Sequence, residues 1–211
     1  MVNLSISVEG QTEENFVKVV LAPYFRTLTR PKIVKAILIG GLGGDVSYKR
    51  TKIDLEAEAR DVSVDYVTTL YDFYGFKDYV SGDTNTSIET KILQNIDPAY
   101  QAKIIPYIQV YEFEGILFSD PPALSKCIRL KQTKLSVGTI LSWANTVLNS
   151  AHGNPEGINN KPNTAPSKRL EEYTNYKKTH HGPLIASHIG LLKMRSACKN
   201  FNNWMSILDA L

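Results

Sequence analysis

Hydrophobic residues recur along this chain with two different periods. Leu4, Ile6 and Val8 alternate with Ser5, Ser7 and Glu9, the period of two that marks a strand. Gly10 permits a turn, Thr12 is placed to cap a helix, and Glu13 and Glu14 suit its first turn. Phe16, Val17, Val20, Leu21 and Tyr24 then recur at helical spacing. After Pro31, Lys32 to Ile39 predicts a second strand ending in Gly40-Gly41-Leu42-Gly43-Gly44. Residues 45–60 predict a polar, exposed helix with Val46, Ile53 and Leu55 as sparse apolar positions. Tyr66 to Tyr71 is a third strand that runs into Asp72-Phe73-Tyr74-Gly75. A polar loop over 75–87 follows, with Ser87 as the cap of a helix from Ile88 to Ile96 that stops before Pro98.

Residues 104–118 are the most apolar stretch. Ile104, Ile105, Ile108 and Val110 suit a strand covered on both faces, and Pro106 places its start at an edge or outside the ladder. That strand delivers Glu112-Phe113-Glu114, whose carboxylates share a face if the extended conformation persists. Leu135 to Leu148 has helical spacing, and residues 151–166 read as a long loop. Ser167 is placed to cap a short helix over 168–173, and two helices are expected between Leu184 and Leu211. Strands that alternate with helices predict an α/β fold, a mostly parallel sheet flanked by helices. The expected organisation is an α/β core over 1–125 and a helical, basic C-terminal part over 126–211 packed on it as one compact unit.

Composition narrows the class without naming a function. The chain has 211 residues, 43% of them hydrophobic and 21% charged, as in an ordinary globular protein. Its net charge of +3 does not by itself point to nucleic acid, but the excess base lies in residues 151–211, which suits an anionic substrate. Cys127 and Cys198 form no zinc or redox pattern and are read as small buried residues. No signal-peptide layout and no bilayer-length apolar run is present, so the expected location is cytoplasmic.

Three predicted strands end in carboxylates: Glu9, Asp72 and Glu112. Parallel strands would bring them to one edge, with Glu13 and Glu114 near. Several carboxylates share a site at neutral pH only with a cation or with raised pKa values. Oxygen donors suit Mg2+ or Mn2+ rather than zinc. Lys168 and Arg169 suit a phosphate. The Gly40–Gly44 loop follows a strand, as phosphate-binding loops do, but lacks their spacing. His181 and His188 lie too far apart for a helical metal pair, and Gly182-Pro183 is expected to break the chain between them. His181 is a candidate for phosphate contact.

Val8-Glu9-Gly10-Gln11-Thr12-Glu13, Leu70-Tyr71-Asp72-Phe73-Tyr74-Gly75, the segment from Tyr111 to Phe118 and the segment from Thr164 to Leu170 together resemble the bacterial family called domain of unknown function 4276. His181-Gly182-Pro183 and Ile189-Gly190-Leu191 also fit it. That family looks like a branch of the Toprim superfamily, the metal-dependent domain of topoisomerases, bacterial primases and overcoming-lysogenization-defect (OLD) nucleases. The resemblance implies a Toprim-like sheet with a helical C-terminal extension. It also implies metal-dependent phosphodiester cleavage of nucleic acid, with DNA the expected substrate, and an ATPase partner in phage defence. Glu9 matches the first Toprim acid, Glu13 the second acid of OLD-type nucleases, and Asp72 the first Asp of the Asp-x-Asp pair. Tyr74 stands where the second Asp belongs, and Glu112 or Glu114 would replace it as a ligand. Lys168 matches the late lysine. Two other readings remain open at this point: a non-catalytic Toprim-fold module serving an ATPase, and nucleotidyl or phosphate transfer to a small molecule.

Overall fold

The computed structural model describes residues 1–44, 46–158 and 164–211. Asp45, the expected start of the second helix, and part of the expected loop over 151–166 lie outside them. The chain divides into two compact units, Met1–Gln109 with Leu211, and Val110–Ala210. The division falls ahead of the boundary expected after residue 125.

Unit 1 is the α/β part. Strands β1 (Val2–Val8), β2 (Lys32–Leu38), β3 (Tyr66–Asp72), β4 (Ile104–Ile105) and β5 (Ile108–Gln109) form a parallel sheet in the order β2-β1-β3-β4, with β5 also on β3. β1 is central and pairs from Val2↔Lys32 to Val8↔Leu38 on one side and from Leu4↔Tyr66 to Val8↔Leu70 on the other. Both its faces are covered. Leu4, Ile6 and Val8 are buried on one, and Ser5 and Ser7 are just as buried on the other. The serine face carries a polar contact, Ser7 Oγ to Tyr71 Oη at 2.6 Å.

The helices are α1 (Gln11–Phe16), α2 (Ala22–Thr27), α3 (Tyr48–Arg60), α4 (Asn85–Asn95) and α5 (Pro98–Gln101). Three local details differ from the sequence reading. The first helix starts two residues early, because Gly10, not Thr12, takes the cap position. Between α1 and α2 the chain widens into a π turn, Val17–Leu21, where the Ala22 amide donates to the Val17 carbonyl. Pro23 follows, and a wider turn leaves room for a ring that an α-turn would crowd. α4 is capped by Thr84, whose Oγ1 accepts from the Ser87 amide at 3.1 Å while Ser87 Oγ accepts from the Thr84 amide at 2.9 Å. Ser87 is thus the reciprocating residue of the cap rather than the cap itself.

Pro106 splits the expected long strand into β4 and β5. The Thr69 side chain fills the break in the ladder: its Oγ1 donates to the Tyr107 carbonyl at 2.6 Å and accepts from the Tyr107 amide at 2.7 Å. A serine or threonine hydroxyl does here what a backbone pair would otherwise do.

Unit 2 is helical. After Tyr111, at φ 60, and an extended Glu112, residues Phe113–Ser119 form a buried 3-10 helix. Helices α6 (Pro121–Cys127), α7 (Ile140–Ser150), α8 (Pro166–Tyr173), α9 (Lys178–Ile189), α10 (Leu191–Ala197) and α11 (Lys199–Ala210) surround it. Three helices, not two, fill the C-terminal segment. α9 also runs straight through Pro183. Gly182 before it has no Cβ to crowd the ring, which removes part of the usual objection to a helical residue ahead of proline. Cys198 is buried and Cys127 only partly so.

Candidate functional site

Glu9, Glu13 and Asp72 belong to unit 1; Glu112, Glu114, Lys168, Arg169 and His181 belong to unit 2. In unit 1, β1 and β3 are parallel neighbours, so Glu9 and Asp72 leave the sheet at the same edge. The pleat sends them to opposite faces there. Glu9 follows Ser7 on the Tyr71 side, and Asp72 follows Leu70 on the other.

The Glu9 carboxylate lies flat against the backbone of Gly75. A Cβ at residue 75 would sit 2.6 Å from Glu9 Cδ, so any side chain there must push the Glu9 carboxylate from this position. Gly43, at φ 81, approaches the other side of the same residue: a Cβ there would lie 2.7 Å from the Glu9 carbonyl oxygen. Two glycines therefore bring two loops against one glutamate.

The Gly40–Gly44 loop is not shaped to hold phosphate. Three of its amides are already donating to the protein. Gly40 N–H goes to Asp54 Oδ2 at 2.5 Å, Gly43 N–H to the Ile39 carbonyl at 2.8 Å and Gly44 N–H to the Glu9 carbonyl at 2.8 Å. The loop is a wall for Glu9, not an anion cradle. Arg50 on α3 pairs with Asp54 at 3.4 Å and covers Gly40. The sequence offered no signal for Arg50, which sits on a polar helix among other charges.

Glu13 has a structural task. Its Oε2 accepts the Gly10 amide at 3.0 Å and closes the start of α1, and the residue is 8% exposed. Among the described residues no group of three or more His, Cys, Asp or Glu side chains stands disposed around a metal position. In chemical kind the donors of unit 1, Glu9, Glu13 and Asp72, are all carboxylate oxygens and fit a hard divalent cation.

The unit 2 carboxylates do not share a strand face as expected, because the extended conformation ends at Glu112. Glu112 Oε2 accepts the Ser167 amide at 2.9 Å and so caps α8 from a distant segment. The local cap position there is Ala165, not Ser167. Glu114 is 1% exposed; it accepts from Tyr176 Oη at 3.3 Å and lies 3.5 Å from Lys178 Nζ. Burial raises its pKa, Lys178 works against that rise and Glu112 adds to it. Tyr176 and Lys178 are partners that spacing did not point to.

Lys168 is exposed and pairs with Glu171 at 3.4 Å. Arg169 is half-buried, with Nε donating to the Thr164 carbonyl at 2.7 Å. His181 Nδ1 accepts the Lys177 amide at 2.9 Å, which puts its proton on Nε2 and makes it a cap for the start of α9. Burial, with His180 beside it, lowers its pKa.

The sequence matches the family described as domain of unknown function (DUF4276) over residues 8–209. The chain belongs to that family. No curated protein and no solved structure matches it. The DUF4276 match spans both units and so takes in all eight candidate residues. Among the described residues, this DUF4276 chain has no helix long and apolar enough to cross a membrane.

Proposed function

We propose that this protein cleaves phosphodiester bonds of nucleic acid in a metal-dependent reaction, as a Toprim-like nuclease or nuclease subunit working with an ATPase in anti-phage defence. The observation that carries the reading is the Glu9 edge: adjacent parallel strands end in Glu9 and Asp72, and Gly75 is bare so that the Glu9 carboxylate can lie against it. Open α/β sheets take ligands at this edge. Mg2+ or Mn2+ would supply an activated water and a counter-charge for the leaving oxygen, with Glu9, Glu13 and Asp72 as the candidate carboxylates although the pleat turns Glu9 and Asp72 to opposite faces. The part of unit 1 is to fix the carboxylates; Lys168 and Arg169, in unit 2, are the cations this reading assigns to phosphates of the strand. The ATPase partner and DNA as substrate rest on the family resemblance.

The capping bond of Glu13 favours a second reading, a non-catalytic module of the same fold serving an ATPase. A glutamate that closes a helix need not bind a metal, and Tyr74 occupies the place of a second Asp. A cleavage assay separates the two. Plasmid, single-stranded DNA and RNA are incubated with Mg2+ or Mn2+ and wild type, Glu9→Ala or Asp72→Ala, with and without a candidate ATPase. The nuclease reading expects both variants to lose about a hundredfold or more of the activity. Cleavage that persists in both variants removes this site, and no cleavage under any condition leaves the module reading.

A further inference from the structure

Unit 2 contains a cavity of about 260 Å³ with Arg169 in its lining. It is formed by α7, α8 and the 3-10 turn Gln132–Val137. One wall is aromatic: Trp143 and Tyr173 stack with centroids 5.5 Å apart and planes 22° from parallel. Val137 and Val147 extend the apolar surface, and Arg169 stands among the lining residues. Lys134 Nζ lies 4.5 Å above the Tyr173 ring. Among the described residues no carboxylate pairs with Arg169. Its Nε is held by the Thr164 carbonyl, which fixes the guanidinium beside the cavity.

The polar lining has a definite sense. Thr146 Oγ1 donates to the Ser142 carbonyl at 3.0 Å, and Ser150 Oγ donates to the Val147 carbonyl at 2.6 Å. Their hydrogens are engaged within α7, so both hydroxyls have only acceptor capacity to offer a ligand. The complementary ligand is flat and partly apolar, has N–H donors on one edge and carries a negative charge. We infer that this cavity takes a nucleotide of a single-stranded nucleic acid, with an amino-bearing base against the Trp143–Tyr173 wall and its phosphate on Arg169. The inference rests on the nucleic-acid reading above and deepens it. A base inside a duplex is not available to such a cavity, so the strand must be unpaired there. Lys134 is paired with Glu172 at 2.7 Å, so Arg169 is the cation left to meet the phosphate.

The test uses full-length protein with chelator, so that binding is read without cleavage. Fluorescence anisotropy compares labelled oligodeoxycytidine, oligodeoxythymidine and an abasic strand of the same length on wild type and Arg169→Ala, with Trp143 emission followed in parallel. Oligodeoxycytidine is expected to bind at least about tenfold more tightly than the abasic strand and more tightly than oligodeoxythymidine, and to change the tryptophan emission. Arg169→Ala is expected to lose about tenfold, with Arg169→Lys recovering part of it. Equal binding of intact and abasic strands, an unaffected Arg169→Ala variant, or displacement of the strand by an acidic peptide with no base preference overturns the assignment. Metal-dependent cleavage without base-dependent binding overturns the cavity and leaves the nuclease reading standing. Base-dependent binding without cleavage does the reverse.

Discussion

Local side chains cap helices in both units, Asp120 doing so for α6 and Thr139 for α7, but α8 and α11 of unit 2 start in another way. In unit 1 the caps are local: Ser47 begins α3, Thr84 begins α4 and Asp97 begins α5, each accepting an amide two or three residues on. In unit 2, α8 and α11 have no such side chain beside them and borrow a glutamate from far away. Glu112 serves α8, and Glu156 serves α11 by accepting the Asn200 and Phe201 amides at 2.9 Å each. A local cap helps a helix form on its own. A borrowed cap exists only after the distant segment has docked, so it ties secondary to tertiary structure. The acidic residues of unit 2 are therefore read first as architecture. At the sheet edge of unit 1, Glu13 closes its own helix, while Glu9 lies against the backbone of Gly75 and Gly43.

Removing Glu156 should show the contrast most strongly. Glu156→Ala leaves two backbone amides and the Asn200 side chain without their acceptor in a buried place. A loss of about 3 kcal/mol is expected, against about 1 kcal/mol for Ser47→Ala in unit 1. Urea unfolding measures both, and Trp143 and Trp204 report from unit 2 alone. Equal losses for the two would erase the distinction.

Gly75→Ala probes the sheet edge. The new methyl group drives the Glu9 carboxylate from its place, at a cost of about 2 kcal/mol, and Glu9→Ala in the same background should recover most of it. Independent, additive losses in the thermal melts would show that the two residues do not meet. The smallest effect concerns pH. The folded protein raises the Glu114 pKa above its ordinary 4.5, so folding favours the protonated form. Stability is then fully present below the unfolded pKa and declines as pH rises through the folded one. Glu114→Gln lacks that decline, so its melting temperature should gain on wild type from pH 4.5 to pH 8. A difference that stays constant across this range counts against the buried acid.

The parallel sheet was legible because β1, β2 and β3 carry their apolar residues with the right period and are separated by segments of helical length. Glu9 and Asp72 were legible as strand-end acids for the same reason. The roles of Glu13 and Glu112 were not, since nothing in the local sequence says that Glu13 turns back to Gly10 or that Glu112 meets Ser167. A bond between residues 55 positions apart has no period to betray it. Gly182-Pro183 misled for the opposite reason: the local rule was sound, but packing around a residue without a Cβ carried the helix through. The Gly40–Gly44 loop resembled a phosphate loop by composition. The fate of its amides was decided by Asp54 and by the chain's own carbonyls, which only the fold brings near.

The π turn at Val17–Leu21 bears on how this chain tolerates changes of length. A π turn holds one residue more than the α-turn it replaces, while the helices on either side keep the phase of an uninterrupted helix. Lys18 and Val19 lie within it and are exposed, so the turn's extra residue is accommodated on the solvent side. Loss of a residue here would let the segment close into an ordinary helix, with Phe16 and Phe25 still facing the core. Loss of a residue anywhere else between them would rotate one of the two out of it. Relatives one residue shorter in this helix should have their gap at this turn, and the distance from Glu13 to the second strand can vary there without disturbing either end.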